Sequence, residues 1–142
     1  MNASSRIAVE GVLETCLYAD DLASVEQFYR EVIGLVVHAR MPGRHVFFRC
    51  GPAMFLVFNP TATGTGLDVG PGERRLQHGA VGPGHVAFQV DESALAAWRD
   101  TLASQGVPIE AEVSWPKGGH SIYVRDPAGN SVELATRALW AP

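Results

Sequence analysis

Three side chains that could bind a metal ion are scattered along the sequence, at Glu14, His85 and Glu133. Each lies in a short run of alternating apolar and polar residues, a pattern typical of a β-strand. One imidazole nitrogen and two carboxylates suit a single divalent ion, and zinc, manganese, nickel, cobalt and iron are all candidates. Three protein ligands leave coordination positions for water and substrate, as a catalytic site needs. Spacing alone does not bring these residues together, so the elements that carry them decide whether they meet.

An internal repeat places the three residues at related positions. Residues 13–21 and 84–92 each form an alternating run that ends in two acidic residues. An amphipathic helical pattern follows each run and ends at a glycine, Gly34 or Gly106. The helices are predicted at 22–33 and 94–105, and the strands that follow them at 35–39, 44–49 and 53–59 in the first copy and at 109–113, 121–125 and 131–136 in the second.

These elements predict two β-α-β-β-β modules, at about residues 10–60 and 83–137, within one domain that spans residues 1–142. We predict an α+β fold in which the two modules form a curved, mostly antiparallel sheet around a cavity. Residues 61–82, rich in Gly and Thr, are predicted to be a linker. The linker is long for a structureless loop, and we expect it to cover a site or to contact a second subunit.

Side-chain alternation separates two faces of each predicted sheet. One face is apolar and suits packing under the helices, whereas the other is mixed and either meets solvent or lines a polar cavity. We assign Phe47, Phe55 and Val57 to the mixed face, where large apolar groups favour a pocket. The residues predicted to bind a substrate are His45, Phe47, Arg49, Phe55, Trp115, Lys117, His120, Tyr123 and Arg125.

Several of these residues have an alternative, purely structural interpretation. The glycine-containing loop 114–121 could close over a substrate or could be an ordinary surface loop with a packed Trp. Arg49 and Arg125 could bind a carboxylate or phosphate, or could form ion pairs with acidic neighbours. His45 and Tyr123 could donate protons or simply line the cavity wall.

Composition excludes some classes of function. The net charge of -4 and the lack of a basic stripe give no support to nucleic-acid binding. There is no apolar run of about 18 residues, so no membrane span is expected. The two cysteines, Cys16 and Cys50, are too few for a disulfide framework. Reduced thiols in a cytoplasmic protein are the favoured interpretation, although one bridge is possible.

Three motifs resemble those of the glyoxalase/bleomycin resistance/dioxygenase superfamily, also called the vicinal oxygen chelate superfamily. The first extends from Leu13 to Leu35 and contains Asp21-Leu22, Phe28-Tyr29 and Gly34-Leu35. The second is the run 84–88, Gly-His-Val-Ala-Phe, and the third is the run 126–134, Asp-Pro-Ala-Gly-Asn-Ser-Val-Glu-Leu. The resemblance implies that His85 and Glu133 are metal ligands, and that the chain forms a homodimer.

Two departures from the family pattern bear on the chemistry. Most members have a histidine on the first strand, where this chain has Glu14. A four-ligand glyoxalase site also takes a ligand from the last strand of the first module, which here offers only Phe55 and Val57 to the assigned inward face. Three-ligand members include thiol transferases and extradiol dioxygenases, and the latter normally use two histidines and one carboxylate.

We therefore expect a glyoxalase-like enzyme that uses one divalent metal. Its substrate would bind the ion through two neighbouring oxygens, and the chemistry would be that of a lyase, an isomerase or a nucleophile addition. Glu133 or Glu14 would leave the metal and move a proton as the general base. The alternatives are a metal-free protein that binds a drug, similar to bleomycin-resistance proteins, and an extradiol-type dioxygenase.

Overall fold

Two β-α-β-β-β modules make up most of the protein. The structure is a computed structural model, and it describes residues 6–64 and 76–142. The first module contains β1 (Glu14–Tyr18), α1 (Leu22–Gln27, which continues as a π-helical turn, Phe28–Val32), β2 (Val36–Met41), β3 (His45–Cys50) and β4 (Ala53–Phe58). A short helix, α2 (Pro60–Gly64), follows it within the predicted linker, of which residues 65–75 lie outside the described part.

The second module repeats this order of elements. It contains β5 (His85–Val90), a 3-10 turn (Glu92–Ala94) that leads into α3 (Leu95–Ser104), β6 (Ala111–Ser114), β7 (His120–Arg125) and β8 (Ser131–Thr136), with a final 3-10 turn (Arg137–Trp140). In the described residues, no helix is long and apolar enough to cross a membrane.

The strands form two four-stranded sheets with the same topology. The strand orders are β1-β4-β3-β2 and β5-β8-β7-β6. In each sheet the first strand pairs in parallel with the last, and the other two pairings are antiparallel. This confirms the predicted fold class of two repeated modules, with the strands divided between two sheets. The strands β1 and β5 are each at an edge of their sheet.

The acidic residues that follow each first strand begin the helices. The Asp21 carboxylate accepts a hydrogen bond from the Ser24 backbone N–H at 3.2 Å. The Asp91 carboxylate accepts one from the Ser93 N–H at 2.9 Å. Both satisfy backbone donors that a helix leaves unpaired at its first turn. The repeated acidic pair of the sequence therefore has a structural function at these two positions.

The helix-covered faces of both modules share one hydrophobic core. The Phe55 ring of β4 lies 5.3 Å from the Phe88 ring of β5, measured between centroids. The buried Tyr29 hydroxyl of the π-helical turn donates a hydrogen bond to the Asp126 carboxylate of the second module at 2.7 Å. The two modules therefore pack against each other through their helical sides, and the opposite face of each sheet points away from this core.

The assignment of Phe55 and Val57 to the cavity face is wrong. The register pairs Phe55 with Phe48 and Val57 with Val46, and all four side chains belong to the core. We call the opposite side of each sheet its open face. The open face of the first module carries Glu14, Cys16, Tyr18, His45, Phe47, Arg49, Met54, Leu56 and Phe58, and that of the second carries His85, Ala87, Gln89, Ser121, Tyr123, Arg125, Ser131, Glu133 and Ala135.

Candidate metal centre

Two of the three predicted ligands lie together on the open face of the second module. The Nε2 atom of His85 is 3.3 Å from Oε1 of Glu133. The His85 side chain is 51% exposed, whereas that of Glu133 is only 7% exposed. They are neighbours because β5 pairs in parallel with β8, so that Ala87 lies beside Glu133 and His85 lies diagonally from it. The pair thus combines one anchored carboxylate with one accessible imidazole.

The backbone of β8 fixes the orientation of the His85 ring. Its Nδ1 atom lies 3.2 Å from the Ser131 carbonyl oxygen and 3.2 Å from the Ser131 hydroxyl. A carbonyl oxygen only accepts, so Nδ1 carries the proton when this bond forms. The Nε2 atom is then the unprotonated nitrogen in the neutral ring. This is the tautomer that a histidine needs to bind a metal through Nε2.

The Ser121 hydroxyl holds the Glu133 carboxylate from the other side. The Ser121 hydroxyl donates to Oε2 of Glu133 at 2.5 Å, and the Trp115 indole N–H donates to the Ser121 oxygen at 2.8 Å. Tyr123 lies opposite Glu133 in the register, on the same open face. Burial raises the pKa of Tyr123, and the charge of Glu133 raises it further. The bond from Ser121 occupies Oε2, while Oε1 lies on the side of His85.

Glu14 does not join this pair within one chain. Glu14 is the first residue of β1 and is exposed. Across residues 6–64 and 76–142, no three His, Cys, Asp or Glu side chains come close enough to hold one ion. The physical reason is the packing of the modules. Their helical sides face each other, so the open face that carries Glu14 is separate from the one that carries His85.

The donor set of the pair fits a divalent metal. Zinc binds imidazole nitrogen and carboxylate oxygen at about 2.0–2.2 Å, so two such ligands of one ion lie roughly 3.0–3.5 Å apart. The 3.3 Å between Nε2 and Oε1 is within this range. His85, Glu133 and a further carboxylate would therefore hold an ion of the borderline class without rearrangement of β5 or β8.

The open face of the first module is aromatic and apolar. His45 stacks on Phe47 with ring centroids 3.9 Å apart, and Phe58 packs edge-on against both rings. Burial lowers the pKa of His45, and the positive charge of Arg44 lowers it further, so both favour the neutral imidazole. Leu56, 7% exposed, is at the place in β4 that Glu133 has in β8. The first module therefore has a hydrocarbon side chain where the second has a carboxylate.

Tyr18 extends this aromatic surface to the segment that precedes β5. Its hydroxyl is 2.6 Å from Nδ1 of His78, which also packs edge-on against Phe58 at 4.6 Å between centroids. Burial raises the pKa of Tyr18 to about 12, with a smaller contribution from Cys16. The phenol is therefore neutral at pH 7. The end of the linker region thus contacts the open face of the first module.

Two of the predicted binding residues, His120 and Lys117, lie away from the open faces, and Arg125 on the open face is held in an ion pair. His120 is on the other side of β7 from Ser121, with Nε2 3.2 Å from the Glu112 carboxylate. The Arg125 guanidinium forms two hydrogen bonds with Glu110, at 2.6 and 3.0 Å, which is the structural ion pair considered above. Lys117 is exposed in the turn between β6 and β7.

The sequence did not point to three residues of the open faces, namely Ser121, Leu56 and Phe58. The alternation in β7 places Ser121 with Tyr123, so a signal for Ser121 existed. A lone serine in a strand does not suggest a metal site, however. Strand β4 has the sequence Ala-Met-Phe-Leu-Val-Phe, which is apolar throughout, and so no alternation distinguishes its two faces.

A groove of about 610 Å³ lies between the modules, beside the end of β1 and the turn that precedes β8. It is lined by Tyr18, Asp20, Asp21, Pro60, Val81 and Pro127, among others, and contains none of the three predicted ligands. The candidate metal centre is therefore on an open sheet face rather than in this groove.

The sequence matches a known family over most of its length. Residues 11–134 match the model of the Glyoxalase/Bleomycin resistance protein/Dioxygenase superfamily. The chain therefore belongs to this superfamily. No functionally curated protein matches the sequence.

Solved structures share the fold. A lactoylglutathione lyase from Agrobacterium tumefaciens is 41% identical, with a TM-score of 0.86 over 94% of this chain and 98% of that one. An integron cassette protein from the mobile metagenome of the Halifax Harbour sewage outfall is 20% identical, with a TM-score of 0.70 over 90% and 99% of the two chains. The fosfomycin resistance protein FosX from Listeria monocytogenes is 16% identical, with a TM-score of 0.66 over 89% and 91%. The last two are similar in fold alone.

Proposed function

We propose that the protein is a metal-dependent enzyme of the glyoxalase type, which acts on a small substrate through two neighbouring oxygens. The observation that carries this proposal is the pair of His85 and Glu133, 3.3 Å apart and oriented by Ser131 and Ser121. The 41% identity to a lactoylglutathione lyase supports the same class of reaction. The thioester of glutathione and lactate is therefore the first substrate to test.

Two copies of the chain complete the site in this proposal. Among residues 6–64 and 76–142, β1 and β5 each pair with one strand of their own sheet, so the outer edge of each can lie beside a strand of a second copy. The residues that lead into β1 are apolar and exposed, with Val12 79% and Leu13 75% exposed. A twofold axis that puts β1 of one copy beside β5 of the other brings Glu14 to the partner's His85 and Glu133, and forms two equal sites.

The ion in this site would be held by His85, Glu133 and the partner subunit's Glu14. When bound, it would act as a Lewis acid on two neighbouring oxygens of the substrate. The physiological ion is zinc, manganese, nickel, cobalt or iron, all of which suit this donor set.

Glu14 is the better candidate for the general base. Glu133 is buried and restrained by the Ser121 hydroxyl, so its carboxylate has little freedom to move. Glu14 is exposed at the start of a strand, and its carboxylate can move between two positions. We propose that a Glu14 carboxylate oxygen takes the proton from the hydroxyl-bearing carbon next to the thioester carbonyl and returns it to the carbonyl carbon. The hydroxyl proton moves to the former carbonyl oxygen, so the product is the isomeric keto hemithioacetal.

The first module would select the rest of the substrate. Phe47, Phe58 and Leu56 form an apolar wall that excludes water from one side of the site. Arg49 is exposed on the same face, where it can bind a substrate carboxylate. A thiol conjugate with an apolar or small acyl group and a distant carboxylate fits both features.

Mixed dimers test this arrangement. Glu14→Ala and His85→Ala homodimers are each expected to be inactive. A mixed dimer of the two variants has one site with both changes and one site with neither. Random exchange of subunits should therefore restore roughly one quarter of the wild-type rate of lactoylglutathione conversion. Mixing Glu133→Ala with His85→Ala is the matched control and should restore nothing, because both changes affect the same chain's contribution.

Metal-free binding of a drug is the second candidate function, favoured by the stacked aromatic surface of the first module. Metal analysis separates the two. About one ion per chain after reconstitution supports the enzyme, whereas tight binding of an aromatic ligand with no ion supports the binding protein.

A further inference from the structure

We infer that Ser121 and Trp115 are positioning residues that connect the loop between β6 and β7 to the metal ligand Glu133. The chain of contacts runs from the Trp115 indole through the Ser121 hydroxyl to the Glu133 carboxylate. This inference rests on the proposed metal site, and the experiment below separates the two. Neither residue would contact the reacting atoms.

The direction of each hydrogen bond follows from the chemistry of the groups. An indole N–H only donates, so the Ser121 oxygen must accept from Trp115. The Ser121 hydroxyl has one proton, which therefore remains for Glu133. Glu133 accepts it at Oε2, with a short distance of 2.5 Å that is typical of a bond to a charged oxygen. The three groups form a polarised chain, in which each bond strengthens the next.

Burial makes the bonds of this chain hard to replace with water. Ser121 is fully buried and Glu133 is 5% exposed, so solvent has little access to either group. Loss of the Ser121 hydroxyl would leave Oε2 with fewer donors and the Trp115 indole N–H without its acceptor. Oε2 would then be free to turn toward the position of the ion, and Glu133 would lose its single orientation.

The loop itself is held firmly at both of its ends. The Trp115 backbone N–H donates to the Gly119 carbonyl at 3.0 Å, which closes the turn. Gly119 has a φ of +92° and lies so close to Leu139 that a Cβ atom there would be 2.5 Å from the Leu139 nitrogen. The backbone of the turn therefore has little freedom. A change at Glu133 would therefore alter the hydrogen bond between the Trp115 indole and Ser121, and would not move the loop by a large distance.

Zinc binding and fluorine NMR test the inference on the whole protein. Of the three tryptophans, Trp115 can be assigned after 5-fluorotryptophan labelling, because its resonance is missing in Trp115→Phe. We expect zinc to shift the Trp115 resonance of the wild type. In Ser121→Ala, calorimetry should give an affinity for zinc about 10-fold lower, and the Trp115 resonance should no longer respond. Ser121→Thr, which retains the hydroxyl, should restore both.

Two further variants make the result independent of folding. Ser114→Ala removes an exposed hydroxyl of β6 that contacts His120 instead, and should leave zinc affinity and the Trp115 shift unchanged. Trp115→Phe keeps the bond from Ser121 to Glu133, and should lower zinc affinity by only about 2- to 3-fold. It provides a second test should Ser121→Ala not fold. If both Ser121→Ala and Trp115→Phe bound zinc with the wild-type affinity, this inference would be overturned but the proposed function would not. No zinc binding by the wild type would overturn the proposed function as well.

Discussion

The two modules share a topology but present different open faces. At equivalent places, the second module has Glu133 and Tyr123 where the first has Leu56 and Phe47. In the second module His85 and Glu133 lie side by side among polar side chains, whereas the first module forms a stacked aromatic surface. The helical sides, in contrast, are apolar in both. The repeat therefore preserves the core while the open faces differ, and the proposed function assigns one face to ion binding and the other to the shape of the substrate.

The largest effect is expected from His85→Ala, measured by calorimetry with zinc. Removing a direct ligand should lower the affinity by more than about 100-fold, since even an outer hydrogen-bond partner of a ligand contributes roughly 10- to 100-fold. His120→Ala is a matched control within the same module. Its Nε2 also lies 3.2 Å from a carboxylate, that of Glu112, but on the other side of β7. Equal losses in the two variants would refute the difference between the faces.

Leu56→Glu makes the first module resemble the second. A carboxylate at this buried position should lower the free energy of unfolding by about 3 kcal/mol or more without metal, because the charge has no partner. Zinc should recover much of this loss, since the introduced carboxylate would be a fourth ligand in the dimer. Leu56→Gln has nearly the same shape as Leu56→Glu and should not be rescued. Denaturation with and without zinc gives the answer, and failure of rescue in Leu56→Glu would mean that the two faces do not meet around one ion.

The repeat explains why the fold could be predicted from the sequence. The alternating runs, the paired acidic residues and Gly34 and Gly106 define the elements locally, and the same order occurs twice. The face of β4 could not be predicted, because its six residues are all apolar and only the pairing with β3 fixes Phe55 in the core. The meeting of His85 and Glu133 followed from equivalent strand positions. The position of Glu14 depends on how the modules pack, which no local pattern encodes.

Phe47→Ala tests whether the aromatic surface of the first module contributes to substrate binding and not to metal binding. Removing the ring that stacks on His45 should raise KM for lactoylglutathione about 10-fold, equivalent to about 1.4 kcal/mol of lost contact. Zinc affinity should stay the same, because Phe47 is on the module that lacks His85 and Glu133. A fall in zinc affinity as large as the rise in KM would show that the two faces are not functionally separate.

The smallest effects should distinguish Arg49 from Arg125, which have equivalent places in β3 and β7. Arg125 holds the pKa of Glu110 below its usual range through their hydrogen bonds, whereas Arg49 has no ion pair among residues 6–64 and 76–142. A lowered pKa contributes stability above the usual pKa of a glutamate, and this contribution is lost as the pH falls through the lowered value. Arg125→Gln should therefore lower the melting temperature at neutral pH by at most about 2 °C, and the difference from wild type should vanish in acid.

Arg49→Gln should leave the melting temperature unchanged and raise KM for a substrate with a carboxylate. The reverse pattern, with KM raised by Arg125→Gln, would assign substrate binding to the second module and remove the division between the two faces.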